Sequence, residues 1–239
     1  MRKTPKAKLQ QGPMHVAIIP DGNRRWSRTH RLNLINGYST GIKKIVDICI
    51  WAKKRGVKTM SVWALSTENA QNRSKQELRI LYNLYIKACK DKHILKILKD
   101  NQARIKVIGN MSLLPSKLNE AFRGLERQTR MYKEITINLL VGYGGRDDIK
   151  YAVENLYAGG RRPGKIDYDT IRSRLRTASI PDIDLIIRTS GEMRLSGLLP
   201  WQSNYSELYF AKKYWPDFGE QDLKRAISTY KRRQRRFGR

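Results

Sequence analysis

The sequence is poor in cysteine and histidine. Cys49 and Cys89 are its two cysteines in 239 residues, which excludes a disulfide scaffold and a cysteine-rich zinc module. The three histidines, His15, His30 and His93, are scattered and show no HExxH spacing. A transition-metal centre is therefore not expected.

Long apolar runs are also lacking. No run approaches the roughly 20 residues that span a bilayer. Residues 1–13 are basic but lack the apolar segment of a secretory signal, so we interpret them as a flexible basic arm. One domain is predicted over residues 14–239, in a cytoplasmic, reducing setting.

Positive charge, by contrast, is abundant. Lys and Arg total 49 against 21 Asp and Glu, which gives a formal net charge of +28. Such an excess predicts polyanionic partners: nucleic acid, anionic lipid headgroups or phosphorylated metabolites. Because 40% of the residues are hydrophobic, the chain can still build a core.

Predicted strands and helices alternate along the chain. Apolar, β-branched runs predict strands at residues 15–19, 59–65, 103–109, 135–141, 183–189 and 208–210. Helical periodicity predicts helices at about 39–56, 78–99, 115 onward, 147–157 and 220 onward, and residues 66–73 are predicted as a polar loop. This alternation predicts a single-domain α/β fold with a parallel sheet covered on both faces.

Polar clusters follow four of these strands, at residues 21–23, 66–69, 144–146 and 188–194. In parallel sheets, ligands bind beyond the carboxyl ends of the strands. Asp21 and Arg188 are 167 positions apart, so only the fold can bring them together.

The segment DGNRRW (21–26) has the composition of a phosphate loop. Gly22 permits positive φ, a helix starting after it would favour phosphate, and Arg24 and Arg25 supply donors. Asp21 could hold Mg²⁺ together with substrate phosphates. The alternative is an Asp-Gly turn whose aspartate caps a helix.

The segment RTSGEMRLSG (188–197) has two arginines and three hydroxyls, which suits a polyphosphate clamp but also an ordinary surface loop. Taken alone, Asn69 is typical of a turn and Glu207 of a solvated charge. No Walker-type loop and no dinucleotide fingerprint occurs.

Five blocks in register resemble the cis-prenyltransferases, the undecaprenyl diphosphate synthase family. They are HVAIIPDGNRRW, SVWALSTEN, VGYGGRDDI, DLIIRTSGEMRLSG and SELYFAKKYWPDFGEQDL. The resemblance runs from His15 to the end of the chain. It implies a homodimer, a mostly parallel six-stranded sheet and an apolar tunnel. It also implies Mg²⁺-dependent condensation of an allylic prenyl diphosphate with isopentenyl diphosphate.

The resemblance also implies residue roles. Asp21 matches the Mg²⁺-linked aspartate, Asn69 a residue proposed as proton acceptor, and Glu207 a metal-binding glutamate supplied across the dimer. The implied substrate-binding residues lie in three segments: Gly22, Asn23, Arg24, Arg25 and Trp26 for the allylic diphosphate; Ser66, Thr67, Glu68 and Arg73 in the neighbouring loop; Arg188, Arg194, Leu195 and Ser196 for isopentenyl diphosphate. Residues 236–238 resemble a segment that can reach the partner's site.

Several positions depart from the family pattern. Leu34 and Tyr38 stand where the family has Arg and His, so two contacts to the allylic diphosphate are missing; Arg28 or Arg31 are candidate substitutes. Ala70, Met193 and Gly142 also replace family residues. The Leu34/Tyr38 pair motivates an alternative, in which an unusual acceptor such as dimethylallyl diphosphate is used, as in lavandulyl diphosphate synthases.

Two readings of other classes stay open. The charge of +28 and the terminal RRQRRFGR favour a nucleic-acid binder, although no nucleic-acid motif is visible, so specific nucleic-acid binding is not expected. A non-catalytic scaffold subunit would be expected to lack Asp21 or the arginine clamp. The basic surface also suits peripheral contact with an anionic membrane.

Overall fold

Six strands pair in parallel in one sheet of the computed structural model, which describes residues 12–158, 164 and 166–233. The strands are β1 (His15–Ile19), β2 (Thr59–Ser66), β3 (Ala103–Ile108), β4 (Ile135–Tyr143), β5 (Leu185–Arg188) and β6 (Glu207–Phe210). Their order across the sheet is β3-β4-β2-β1-β5-β6. The predicted fold class and the location of every predicted strand are confirmed.

Helices connect the strands and cover the sheet. They are α1 (Asn23–Thr29), α2 (Leu34–Lys53), α3 (Thr67–Asn72), α4 (Lys75–Lys90), α5 (Lys92–Asp100), α6 (Ser116–Thr129), α7 (Gly145–Tyr157), α8 (Tyr168–Arg174) and α9 (Glu220–Arg232). In the described part of the chain, none of them is long and apolar enough to cross a membrane.

Three predicted boundaries were wrong, and side-chain caps explain most of the differences. Helix α2 starts at Leu34 rather than near residue 39, because Asn33 accepts the amide of Asn36. The predicted polar loop at residues 66–73 contains α3, capped by Ser66. The single helix predicted toward residue 99 is two, because Asp91 ends α4 and caps α5.

Both faces of the sheet are buried. In β1, Val16 and Ile18 point into the larger apolar cluster, which lies against α2, α4, α6 and α9. Ala17 and Ile19 alternate with them and pack into a second cluster with Trp63 on the other face. Continuous apolar strands are typical of a sheet covered in this way.

Two glycines bring α1 against α2. A Cβ at Gly37 would lie 2.1 Å from Ser27 Oγ, and one at Gly41 would lie 2.2 Å from Asn23 Oδ1. The close approach fixes the start of α1 beside the end of β1, where the candidate site lies.

Candidate active site

The turn after β1 presents Asp21 at the carboxyl edge of the sheet. Gly22 follows with φ of +103°, and a Cβ there would meet Tyr214 Cδ1 at 2.7 Å. Glycine is therefore required by backbone conformation and by space. The Asp21 carbonyl accepts hydrogen bonds from Thr189 Oγ1 at 2.7 Å and from the Trp215 amide at 3.0 Å, which hold the turn.

Asp21 and Arg188 meet directly. Arg188 Nη2 donates to Asp21 Oδ2 at 2.9 Å, although the residues are 167 positions apart. The Arg188 side chain is buried, and its Nη1 donates to Ser196 Oγ at 2.9 Å and to the carbonyl of Arg194. The predicted convergence of these two segments is confirmed.

The loop after β5 is held in sparsely populated backbone conformations. Ser190 and Ser196 have φ of 79° and 53°, and Leu199 has φ of 42°. The Gly197 carbonyl lies where a side chain at Gly145 would be, 2.4 Å from its Cβ position. Helix α7 thus packs closely under the loop that carries Ser196. Such strain is typical of functional sites.

A chain of ion pairs surrounds Asp21. Arg25 Nη2 contacts Asp21 Oδ1 at 3.3 Å, and its Nη1 contacts Glu192 at 2.8 Å. Glu192 also pairs with Arg194. Hydrogen bonds from Arg194 and Arg25 lower the pKa of Glu192, so this carboxylate is ionised at neutral pH. The arginines of the edge are thus neutralised in part by carboxylates.

Residues at the end of β2 and just after it form the other side of this carboxyl edge of the sheet. Ser66 Oγ accepts the Asn69 amide and starts α3, while Thr67 Oγ1 donates to the Gly142 carbonyl at 3.2 Å. Arg73, just beyond α3, donates from Nη1 to the hydroxyl of Tyr38 at 3.1 Å.

These segments enclose a pocket of about 660 Å³. Its walls include most of the predicted site residues: Asp21, Gly22, Asn23, Arg24, Arg25, Ser66, Glu68, Asn69, Arg73, Arg188 and Ser196. Arg28 and Tyr38 also line it. An open pocket lined by four arginines besides Arg188 (Arg24, Arg25, Arg28 and Arg73) suits a strongly anionic ligand.

A smaller apolar compartment of about 60 Å³ adjoins this pocket. Both cavities are lined by Ile42, Ile45, Ala64 and Tyr85. The compartment continues between α2, α4 and the sheet, past Cys89, Phe122 and Ile137. The site therefore joins a charged mouth to a hydrocarbon-lined interior.

Comparison with known proteins shows which family this chain belongs to. The family described as putative undecaprenyl diphosphate synthase matches residues 19–238. The chain belongs to the undecaprenyl diphosphate synthase family.

Relatives in this family are similar over nearly their whole length. A tritrans,polycis-undecaprenyl-diphosphate synthase of Thermoplasma volcanium, described as geranylgeranyl-diphosphate specific, is 41% identical over 235 residues, which cover 95% of this chain and 89% of that protein. An isoprenyl transferase of Thermotoga maritima is 40% identical over 228 residues, 95% of this chain and 97% of that one. The chain is thus a prenyltransferase.

Two solved structures are similar to this chain in fold. The lavandulyl diphosphate synthase of Lavandula x intermedia, in complex with dimethylallyl diphosphate, superposes with a TM-score of 0.89 at 36% identity, covering 95% of this chain and 99% of that one. A probable undecaprenyl diphosphate synthase of Campylobacter jejuni gives a TM-score of 0.79 at 26% identity, covering 96% of this chain and all of that one.

Not every residue implied by the resemblance to the undecaprenyl diphosphate synthase family lines the pocket. Trp26 Nε1 donates to Asp217 and its ring stacks on His30. Leu195 packs on the second apolar cluster. The Arg194 side chain is exposed and pairs with Glu192, and Thr67 is bonded to Gly142.

Glu207 lies away from the pocket within this chain. It pairs with Leu185 at the start of β5 and β6, three strand positions before Arg188, or about 10 Å along the sheet. Its carboxylate is bound by Arg233 at 2.7 Å. Residues 236–238 lie outside the described residues.

The positions that depart from the family pattern, and the two arginines considered as substitutes, differ in whether they line the pocket. Tyr38 and Arg28 line the pocket, whereas Leu34 and Arg31 are not among its wall residues. Ala70 packs against the larger apolar cluster, and Met193 is 77% exposed. Gly142 has φ of +60°.

A magnesium ion fits the donor set at Asp21. The carboxylate is partly exposed and opens into the pocket, and Mg²⁺ in proteins is commonly held by one or two carboxylates together with substrate phosphates. Among the described residues, no group of three or more His, Cys, Asp or Glu side chains is placed to hold a metal by itself. Phosphate oxygens would therefore have to complete the coordination.

Sequence reasoning missed two carboxylates, Glu77 and Glu192. Glu77 is buried on α4 beside Arg73, and Glu192 connects Arg25 to Arg194. Arg73 lies before the start of α4, so this ion pair is not a pair on one helix face, and the four-residue spacing alone does not predict it.

Proposed function

We propose that this enzyme transfers an allylic prenyl group from a prenyl diphosphate to isopentenyl diphosphate, with Mg²⁺. The observation that carries the proposal is the ion pair of Asp21 with Arg188 at a pocket that joins four further arginines to an apolar compartment. A diphosphate with a hydrocarbon tail has the matching chemistry at both ends.

The donor half of the reaction breaks the bond between the allylic carbon and the diphosphate oxygen. The diphosphate leaves with the electron pair, and a delocalised allylic cation remains. We assign Arg24, Arg25 and Arg28 to the leaving diphosphate, because preorganised cations stabilise charge that develops in the transition state.

The acceptor half forms a new carbon–carbon bond. The double bond of isopentenyl diphosphate attacks the cation, and loss of a proton restores a double bond. Arg188 and Ser196 are assigned to the acceptor's diphosphate, and Arg194 joins them when it releases Glu192. An amide is a weak base, so Asn69 is assigned to positioning, with a diphosphate oxygen as the proton acceptor.

Asp21 would hold Mg²⁺ jointly with diphosphate oxygens. When bound, the ion neutralises charge on the leaving diphosphate. Arg25 contacts Oδ1 and Arg188 contacts Oδ2 of the Asp21 carboxylate, and these two contacts fix its orientation.

The hydrocarbon tail of the donor is assigned to the apolar compartment. Each buried CH₂ contributes about 0.8 kcal/mol, so the compartment can retain a growing chain. A long product needs more space than about 60 Å³, so side chains that line the compartment would have to move to admit it.

We also propose a homodimer. Glu207 is too far along the sheet to reach Asp21 in its own chain, so a contribution to metal binding requires a second copy. Residues 236–238 are proposed to approach the partner's site.

The basic outer face of α4 is proposed to contact an anionic bilayer. Lys75, Arg79, Lys87 and Lys90 are all exposed, and the helix's only acidic residue, Glu77, is buried. The inner face of α4 lines both cavities through Leu81, Tyr85 and Cys89. One helix therefore separates an apolar cavity from a surface complementary to lipid phosphates.

A second candidate reaction is condensation with an unusual acceptor such as dimethylallyl diphosphate. It is favoured by Tyr38, a neutral group in the wall where the family has a histidine, and by the similarity to a lavandulyl diphosphate synthase.

Product analysis distinguishes the two reactions. The purified chain with Mg²⁺ is incubated with dimethylallyl, geranyl, farnesyl and geranylgeranyl diphosphates, each with and without isopentenyl diphosphate, and the products are identified by mass spectrometry. Chain elongation that requires isopentenyl diphosphate supports the first proposal. Branched products from dimethylallyl diphosphate alone support the second, and no product from any pair overturns both.

A further inference from the structure

A network of four side chains lies at the pocket: Tyr38, Arg73 and Arg24 line it, and Glu77 lies behind them. The Tyr38 hydroxyl donates to Glu77 Oε1 and accepts from Arg73 Nη1 at 3.1 Å. Arg73 Nε lies 3.4 Å from Glu77 Oε1, and Arg24 Nη1 lies 3.9 Å from Glu77 Oε2. Tyr38 and Glu77 are 5% and 8% exposed, so the carboxylate is largely removed from water.

The direction of the Tyr38 hydrogen bonds follows from its neighbours. A carboxylate only accepts and a guanidinium only donates, so the phenol proton points to Glu77 and a hydroxyl lone pair faces Arg73. Burial raises the pKa of Tyr38, and the phenol therefore stays neutral across the physiological range. Tyr38 cannot supply the positive charge that a histidine could supply here.

Glu77 competes with any anion in the pocket for the same two arginines. A buried carboxylate needs hydrogen bonds and counter-charges. Each hydrogen bond that it accepts from one donor reduces how strongly it has to bind its other partners. The Tyr38 proton is such a donor. Without it, Glu77 depends on Arg73 and Arg24 alone.

We propose that Tyr38 is a positioning residue for the donor diphosphate: by donating to Glu77, it weakens the hold of that carboxylate on Arg24 and Arg73, while its hydroxyl oxygen, which accepts from Arg73, keeps Arg73 at the pocket wall. This inference rests on the proposed function, because it names the allylic diphosphate as the anion in the pocket. Its role is indirect, through Glu77, and the tyrosine itself makes no contact with the reacting atoms.

The test compares Tyr38→Phe with wild type in two assays. In steady-state kinetics, we expect KM for the allylic diphosphate to rise roughly 10-fold, the scale of a lost hydrogen bond to a charged group, with kcat and KM for isopentenyl diphosphate changed less than about 2-fold. In calorimetry without turnover, Kd for inorganic diphosphate is expected to rise by a similar factor.

Glu77→Gln supplies the second half of a double-mutant cycle. With a neutral amide at position 77, the two arginines are no longer retained, so adding Tyr38→Phe is expected to change Kd less than about 2-fold. Tyr82→Phe is the matched control. It removes a half-buried hydroxyl from the same helix as Glu77, outside the pocket wall, and should leave Kd unchanged.

Three results would overturn the proposal. One is a Tyr38→Phe variant with lower thermal stability but unchanged Kd and KM, which would make the role purely structural. Another is an equal loss of affinity in the Glu77→Gln background, which would place Tyr38 in direct contact with the ligand. The third is a fall in kcat alone. Because calorimetry needs no turnover, an absence of prenyl products in wild type would count against the proposed function separately.

Discussion

Arg188 and Asp21 depend on each other. The guanidinium is buried and Asp21 is its one carboxylate partner in the described residues, whereas Asp21 keeps an open side toward the pocket. A buried cation is costly without a partner, so the pair holds two distant segments together. The same carboxylate is the proposed magnesium ligand, so Asp21 both stabilises this edge of the sheet and takes part in the proposed reaction.

We therefore expect Asp21→Asn to lose activity and to unfold more easily than wild type, because the buried Arg188 loses its counter-charge. The amide keeps the shape of the side chain but removes its charge, and kcat/KM for prenyl transfer should fall about 100-fold or more. Steady-state rates at saturating Mg²⁺ measure this. Asp182→Asn, at an exposed carboxylate that pairs with Arg172, is the control and should keep wild-type rates. Undiminished turnover in Asp21→Asn would remove this carboxylate from the mechanism.

Helix α2 reaches the site because it lies unusually close to α1. Gly41 lies against Asn23, whose Nδ2 donates to the Pro20 carbonyl in the turn before Asp21. The indole of Trp215 donates to the Gly41 carbonyl at 2.8 Å, so the contact is closed on a second side. Any added atom between the helices has to displace the turn.

Gly41→Ala tests this contact. The new Cβ would lie 2.2 Å from Asn23 Oδ1 and 3.1 Å from Trp215, so we expect a loss of about 1–3 kcal/mol in unfolding free energy and weaker binding of inorganic diphosphate. Gly124→Ala in α6 is the matched control. Nothing lies within 4 Å of its Cβ, and it should gain about 0.5–1 kcal/mol. Equal effects on urea denaturation at both positions would contradict the close-packing argument.

The start of β1 contains a buried histidine. His15 Nδ1 lies 2.9 Å from the Pro181 carbonyl, and Nε2 lies 2.9 Å from Ser61 Oγ, to which Asn138 also donates. Burial lowers the pKa of His15 below its usual 6.5, against the opposing effect of the Asp182 and Asp184 carboxylates. The folded chain therefore holds this imidazole neutral.

Stability is expected to decline in mild acid for this reason. Below about pH 6.5 the unfolded chain binds a proton at His15 that the folded chain resists, so the free energy of unfolding falls as pH drops. Urea denaturation at pH 7.5 and pH 5.0 measures the difference. In His15→Asn the fall should be smaller, whereas His93→Asn, at an exposed position, should behave like wild type. An identical pH dependence in all three chains would refute the assignment.

The excess positive charge is not distributed evenly over the helices. Helices α6 and α7 carry exposed acidic side chains among their basic ones, but α4 presents only basic charge to solvent. Since α4 residues line the apolar compartment, the basic face and this compartment belong to the same part of the molecule.

Removing this charge should weaken membrane binding. The triple variant Arg79→Gln, Lys87→Gln, Lys90→Gln is expected to lose at least about 10-fold in affinity for phosphatidylserine vesicles, since each basic residue near such a surface contributes about 1 kcal/mol. Cosedimentation measures it, with phosphatidylcholine vesicles as the neutral reference. The control changes Lys224, Arg225 and Lys231 on α9 to Gln, with the same loss of charge. Tighter binding of random duplex DNA than of anionic vesicles at equal salt would support a nucleic-acid surface instead.

Much of this architecture was readable from local sequence. The strands were predictable because short runs of β-branched and apolar residues, bounded by turn residues, favour β-strands in a sheet that is covered on both faces. The polar segments at 21–25, 66–69 and 188–196 could be placed at one edge, since parallel strands end together. The short helix α3 and the break at Asp91 were not predicted, because each depends on a single capping side chain.

The partners of the site arginines were decided only by the fold. Glu77 and Glu192 look like ordinary surface charges in the sequence, yet one is buried against Tyr38 and the other connects Arg25 to Arg194. Local pattern records which residues follow a strand, but the energy of an ion pair depends on distance and burial, and these are set by segments up to 167 residues apart.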